Sequence, residues 1–160
     1  MRVRIEAAHA GPLLLEARTL FSEYAASLGI DLGFQGFESE LAGLPGAYAP
    51  PSGRLLVARL HGTSAGCVAV RALEPGICEM KRMYVRPGHR GSGVGRRLAE
   101  TAVAEARAMG YSSMRLDTLE TMASARRLYR HLGFVPIPPY RHNPLPGAEF
   151  LALDLRAPEG

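Results

Sequence analysis

Three glycines at alternate positions, Gly91, Gly93 and Gly95, stand between Arg90 and the pair Arg96–Arg97 in the stretch VRPGHRGSGVGRRL. Three missing Cβ atoms let a ligand approach the backbone closely. A helix that begins at such a loop aims its free N–H groups and the positive end of its dipole at the same place. The arginines add charge, so the stretch suits a phosphate, and a pyrophosphate best. Two common phosphate motifs do not fit. Gly88 and Gly93 have Walker spacing, but Val94-Gly95 stand where Lys-[ST] belongs. Gly91, Gly93 and Gly95 give G-x-G-x-G, with Arg96 where the dinucleotide motif needs its third glycine. Taken alone, the loop also reads as a helix start with a flexible cap.

The elements that must carry this loop are visible as periodicities. VRIEAA (residues 3–8) alternates as a strand does. Leu13, Leu14, Ala17, Leu20, Phe21 and Tyr24 recur at helical spacing between Pro12 and Gly29. Residues 37–46 predict a second, shorter helix. RLLVARL (54–60) and AGCVAVRAL (65–73) predict a hairpin, and ICEMKRMYV (77–85) the next strand. A helix follows from Val94 to the stop at Gly110. SMRLDTL (113–119) is a strand, MASARRLYRHLG (122–133) a helix, and FVPIPPY and AEFLALDL close the chain as strands around RHNPLPG. The order implies antiparallel hairpins at each end and neighbouring parallel strands with crossover helices in the second half. This is an α/β class, a mixed sheet with helices on its faces.

Arg90-x-x-Gly93-x-Gly95, directly after a strand ending MYV and a proline, resembles the acetyl-CoA loop of the GNAT superfamily of N-acetyltransferases. ARRLYRHLGF (125–134) looks like that family's second signature, A-x-x-L-Y-x-x-x-G-F. The two occur in the right order and at the right distance. The resemblance covers nearly the whole chain and implies a single N-acetyltransferase domain over residues 1–160. It implies a mixed, mostly antiparallel central sheet with a parallel strand pair splayed at the cofactor cleft. It further implies that the segment Met83, Tyr84 and Val85 bonds the pantetheine arm like an added strand, through backbone groups of Met83 and Val85. Backbone amides of Arg90, Gly91, Ser92, Gly93, Val94, Gly95 and Arg96 would hold the pyrophosphate. Tyr129 matches the tyrosine near the thioester sulfur. One departure stands out: Met122 occupies the place where many members carry Asn, so a side-chain bond to the pantetheine is lost or passes to Thr121 or Ser124.

The reaction so implied moves acetyl directly from acetyl-CoA, a co-substrate, to a primary amine of a small molecule, peptide or protein. An amine of pKa about 10.4 is protonated at pH 7, and making it neutral costs roughly 4–5 kcal/mol. A base should help, and the departing thiolate needs a proton. Glu79 is the candidate base, on the cofactor strand and expected on one face with Lys81 and Met83; a surface pair with Lys81 or Arg82 is the plainer reading. Asp117 is the alternative base, or a buried structural carboxylate. Tyr129 is the candidate proton donor, or a core aromatic. Phe34, Phe37, Asp117 and Tyr140, with Asn143, are expected around the acceptor, beside a rigid proline-rich loop.

The bulk numbers bound the alternatives. The chain has 160 residues, 19 Lys+Arg against 15 Asp+Glu, and 47% hydrophobic residues, which suits one globular core. The charge excess fits an anionic ligand as well as nucleic acid, but the arginines gather at one loop, Lys81 is the sole lysine, and no basic stripe with aromatics is present. No nucleic-acid partner is therefore expected. No apolar run approaches a membrane span and the N-terminus lacks a signal-peptide core, so a cytoplasmic protein with no membrane partner is expected. Cys67 and Cys78 read as reduced core residues. The five histidines show no ligand spacing, and no metal is expected. A homodimer is compatible with the sequence. The main alternative to an enzyme is a non-catalytic acyl-CoA sensor.

Overall fold

Strands β1 (Val3–Ala7), β2 (Arg54–Leu60) and β3 (Thr63–Glu74) form an antiparallel meander at one end of a seven-stranded sheet. The computed structural model describes residues 2–29, 32–33 and 36–156. The β2–β3 turn is two residues, His61 and Gly62, both at positive φ (53° and 76°), the conformation that matches strand twist. β4 (Ile77–Val85) pairs antiparallel with β3 and parallel with β5 (Ser113–Leu119). β7 (Ala148–Asp154) pairs antiparallel with β5, and β6 (Val135–Pro136) with β7, giving the order β1-β2-β3-β4-β5-β7-β6. Because β7 inserts between β5 and β6, β4–β5 is the single parallel pair among the described residues; the second parallel neighbour implied by the element order is absent.

Helices cover both faces, as expected. α3 (Val94–Ala108) and α4 (Ala123–His131) lie over one face, where Leu98, Ala102 and Tyr129 meet Val68, Val70, Met80, Met114 and Leu116. α1 (Pro12–Leu28) and α2 (Phe37–Ala42) lie over the other, where Leu20, Phe21 and Phe37 meet Leu55, Val57, Cys67 and Ala69. Cys67 and Cys78 are free, buried and on opposite faces, and burial pushes both thiols up, Cys78 to about 12.

Several element ends differ from the sequence expectation. The helix begun at Phe37 stops at Ala42, because Gly43 and Pro45 end it before Gly46. The strand expected over 134–140 shrinks to Val135–Pro136 with one further bond from the Ile137 amide to the Phe150 carbonyl (2.9 Å). Pro136, Pro138 and Pro139 have no N–H to give a ladder. Residues 137–147 are therefore a long loop laid across the sheet.

Candidate active site

Pairing between β4 and β5 covers only Ile77↔Ser113, Cys78↔Met114 and Glu79↔Arg115. Beyond that point both strands continue, β4 to Val85 and β5 to Leu119, without bonding one another. A bulge opens them. Lys81 faces Ala69 and Tyr84 faces Cys67, so Arg82 and Met83 together oppose Val68 alone, and Arg82 takes φ 61°. An extra residue resets the alternation. The expected common face of Glu79, Lys81 and Met83 is thus wrong: Met83 packs into the α3–α4 core, and Lys81 and Arg82 stay on the α1–α2 side. The bulged edge is held by side chains from elsewhere. Arg82, a strained residue for its type, is fixed by two 2.8 Å bonds to Glu40 of α2 and by the rings of Tyr24 and Phe37.

The cleft between the parted strands is lined by Met80, Lys81, Met83, Leu116, Asp117 and Thr118, with Tyr24, Met122, Tyr129 and Asn143 among the residues that close it. The glycine loop follows directly on the end of β4 and leads into α3. Arg86 turns its N–H to Ala65 of β3 (2.8 Å). Val85, one residue earlier, and Met83 must then aim their N–H groups at the open side, since the direction alternates along a strand. Gly91 and Gly93 sit at φ 81° and 87°, and a Cβ on either would meet no protein atom within 4 Å. Among the described residues, none of the backbone amides from Gly91 to Arg96 donates to a protein acceptor, and no side chain caps α3. These amides ring a surface that a pyrophosphate fits. Arg90 donates from Nε to the Val85 carbonyl (3.1 Å), tying the loop to the strand end, and Ser92 Oγ donates to the His89 carbonyl. Arg96 pairs with Glu100 on the exposed helix face. Tyr84, named with its neighbours in the sequence, turns its side chain the other way, its hydroxyl donating to Glu23 (3.2 Å), which also binds Arg86 (2.9 and 2.8 Å).

Tyr129 lies on α4 at the floor of the cleft, buried and packed on Phe134, with no partner among the described residues for its hydroxyl. Burial pushes its phenol well above the ordinary value, aided by Tyr24 and Asp117, so it is a protonated group in the lining of the cleft. Met122 also lines the cleft, and its sulfur takes a contact from the Thr118 hydroxyl (3.7 Å). Thr121 and Ser124, the expected substitutes for the missing Asn, are exposed.

On the α1–α2 side the candidates separate. Asp117 lines the cleft and accepts from Asn143 Nδ2 (3.1 Å). Glu79 does not line it. Its side chain is 0% exposed, with Oε1 bound by Arg71 (3.0 Å) and Oε2 by the Tyr140 hydroxyl (2.7 Å) and Arg141. Burial alone would raise its carboxyl, but Lys81, Tyr140 and Arg141 outweigh burial and hold it below the usual range. Tyr140 is likewise spent on Glu79 rather than open to an acceptor, and Phe37 is a core residue under Arg82. Phe34 lies outside the described residues. Lys81, which the sequence showed merely as a neighbour of Glu79, is buried in the cleft wall, and burial followed by Arg82 lowers its amine to about 8. Arg71 reaches the neighbourhood from a segment distant in sequence, and Arg115 and Arg141 stand beside the candidates Asp117 and Tyr140 without a signal of their own.

The family model for the acetyltransferase (GNAT) family matches residues 19–134. The chain belongs to the GNAT acetyltransferase family. It is 46% identical over 140 residues to an uncharacterized N-acetyltransferase of Schizosaccharomyces pombe, covering 86% of each chain. A GNAT acetyltransferase of Staphylococcus aureus shares the fold with a TM-score of 0.77 at 19% identity, over 97% of this chain and 100% of that one. The yncA protein of Salmonella typhimurium, solved with its cofactor acetyl-CoA, superposes with a TM-score of 0.70 at 22% identity over 98% of both chains. Among the described residues of this GNAT chain, no helix is long and apolar enough to cross a membrane, and no three His, Cys, Asp or Glu side chains are placed to hold a metal.

Proposed function

We propose that this GNAT chain acts as one acetyltransferase domain that moves acetyl from acetyl-CoA to a primary amine by direct attack, without a metal. The observation that carries this reading is the parting of β4 and β5 into a cleft lined by Tyr129, with the amides from Gly91 to Arg96, which have no protein acceptor among the described residues, following directly on the end of β4. The amides and Arg90 bind the pyrophosphate, and the Met83 and Val85 N–H groups take the pantetheine arm as a strand would be taken. The acceptor enters from the α1–α2 side. Its nitrogen bonds the thioester carbonyl carbon, the carbon–sulfur bond breaks, the ammonium proton leaves to a base, and the sulfur takes a proton from Tyr129.

We place the base at Asp117 in preference to Glu79. Asp117 faces the cleft, whereas both Glu79 oxygens are already bound and its carboxyl is held ionised by cations. An assay of thiol release from acetyl-CoA across a pool of amines tests the reading. Release that depends on an amine, with matching acetyl-amine formed, supports it. Tight acetyl-CoA binding with no release on any amine would make the chain a sensor instead.

A further inference from the structure

The cross-strand register puts Arg71 of β3, Glu79 of β4 and Arg115 of β5 in one row, side chains on the α1–α2 face. Loop 137–147 lies over that row. Tyr140 is held between two guanidiniums, Arg115 at 5.5 Å and Arg141 at 5.0 Å from its ring centre. Arg71 and Arg141 share the one buried carboxylate, Glu79. Glu74, the remaining acid at Arg115, is 3.8 Å away and more than half exposed. Lys81 is one strand step further on, beside Asp117. Three guanidiniums thus face two carboxylates, Glu74 and Glu79, in a partly desolvated corner. Arg71, Arg115 and Arg141 keep 32%, 25% and 21% of their side-chain surface open. Guanidiniums gathered around an already saturated carboxylate retain donors for a further anion, and their planar forks suit carboxylate or phosphate oxygens.

Resting on the acetyl-transfer reading, we propose that the acceptor is an amine that also carries an anionic group, carboxylate or phosphate, and that Arg71, Arg115 and Arg141 bind that group while the amine lies at Asp117. The spacing is suitable. Arg115 and Asp117 are two residues apart on one strand face, about 6–7 Å, so one small molecule spans both. Charge is suitable too, because the anion offsets the excess positive charge and leaves the neutral amine as the nucleophile.

The test compares matched amines in the thiol-release assay: γ-aminobutyrate against its amide, and O-phosphoethanolamine against ethanolamine, each rate expressed per neutral amine. The anionic member of at least one pair should have a kcat/KM at least tenfold higher, and the pair that shows it names the anion. Inorganic sulfate should compete with that amine and not with acetyl-CoA. In Arg71→Gln and Arg115→Gln, each checked for folding by circular dichroism, the preference should fall towards one, while Arg71→Lys keeps part of it. Equal use of charged and neutral members, or a preference that survives both glutamine variants, would overturn the proposal while leaving acetyl transfer standing. If calorimetry shows acetyl-CoA bound but no amine of either kind is acetylated, both readings fall together. If acetyl-CoA is not bound, the acetyl-transfer reading fails first.

Discussion

The two sides of the cleft are built from different materials. The side we assign to the cofactor is backbone: the free edge of β4, the amides from Gly91 to Arg96, and an uncapped helix start. The side we assign to the acceptor is charge held by side chains: Glu79 by Arg71, Tyr140 and Arg141, Arg82 by Glu40, and Asp117 by Asn143. Backbone donors bind any pyrophosphate-bearing acyl carrier of the right length and say nothing about the acceptor. Side-chain networks can be rewired by single substitutions, so on the proposed reading specificity is set on the acceptor side. The division also places the electrostatic cost of the fold on the acceptor side, where ionisable groups are buried.

Lys81 shows that cost most directly. Its folded value of about 8 lies below the ordinary 10.5. Below pH 8 the amine is charged in both states and burial is fully opposed. Between pH 8 and 10.5 the unfolded chain holds a proton that the folded chain has released, so this group makes stability rise with pH across that window. Lys81→Met should remove the effect. The variant is expected to gain up to about 3 kcal/mol relative to the parent at pH 7, a difference that shrinks towards pH 10.5. Denaturant unfolding of both proteins at pH 7, 9 and 10 checks it; a difference constant across the window would mean that Lys81 is not the buried cation described. Next in size is Tyr129→Phe, which deletes one oxygen at the junction of the two sides. Turnover should fall about 10²-fold, with acetyl-CoA affinity preserved in calorimetry. Full turnover with chemistry rate-limiting would assign the proton to another group.

The same division decides what could be read in the sequence. The segment assigned to the cofactor is contiguous, from Met83 to Arg96, so local spacing and the pattern Arg90-x-x-Gly93-x-Gly95 are enough to propose it, and the resemblance of residues 125–134 to A-x-x-L-Y-x-x-x-G-F is enough to propose Tyr129. The acceptor side is assembled across gaps that no local pattern spans: Glu79 meets Tyr140 61 residues away, Arg82 meets Glu40 42 away, and Asp117 meets Asn143 26 away. The Arg82 bulge was invisible for a related reason. Nothing in ICEMKRMYV marks an extra residue, and without it the alternation of Glu79, Lys81 and Met83 appears unbroken. Glu79 consequently looks like a catalytic carboxylate in sequence and like a loop anchor in three dimensions. The prolines of loop 137–147 are visible in the sequence, but not that Glu79 holds this segment through Tyr140 and Arg141.

Two smaller effects sharpen the contrast. Arg90→Ala with Gly93→Val should raise the acetyl-CoA dissociation constant at least tenfold, about 1.4 kcal/mol. The loss of the Val85 tie, the valine side chain at φ 87° and the obstructed approach act together. Unchanged affinity in the folded double variant would remove the loop from the cofactor site. Glu79→Gln should loosen the Tyr140–Arg141 anchor and raise the amine KM several-fold, with the acidic limb of the pH–rate profile left where it is, measured with an acceptor amine of low pKa. A flattened acidic limb would instead return the role of base to Glu79.

Initial-rate kinetics with both substrates varied, run side by side on the parent, the Arg90→Ala/Gly93→Val double variant and Glu79→Gln, test the separation of the two sides most directly. The expected result is a crossed pattern. The loop variant raises the acetyl-CoA KM at least tenfold with the amine KM nearly fixed, and Glu79→Gln raises the amine KM with the acetyl-CoA KM nearly fixed. If both constants move together in either variant, the backbone-built cofactor side and the charge-built acceptor side are one coupled site, and the account given for each is wrong.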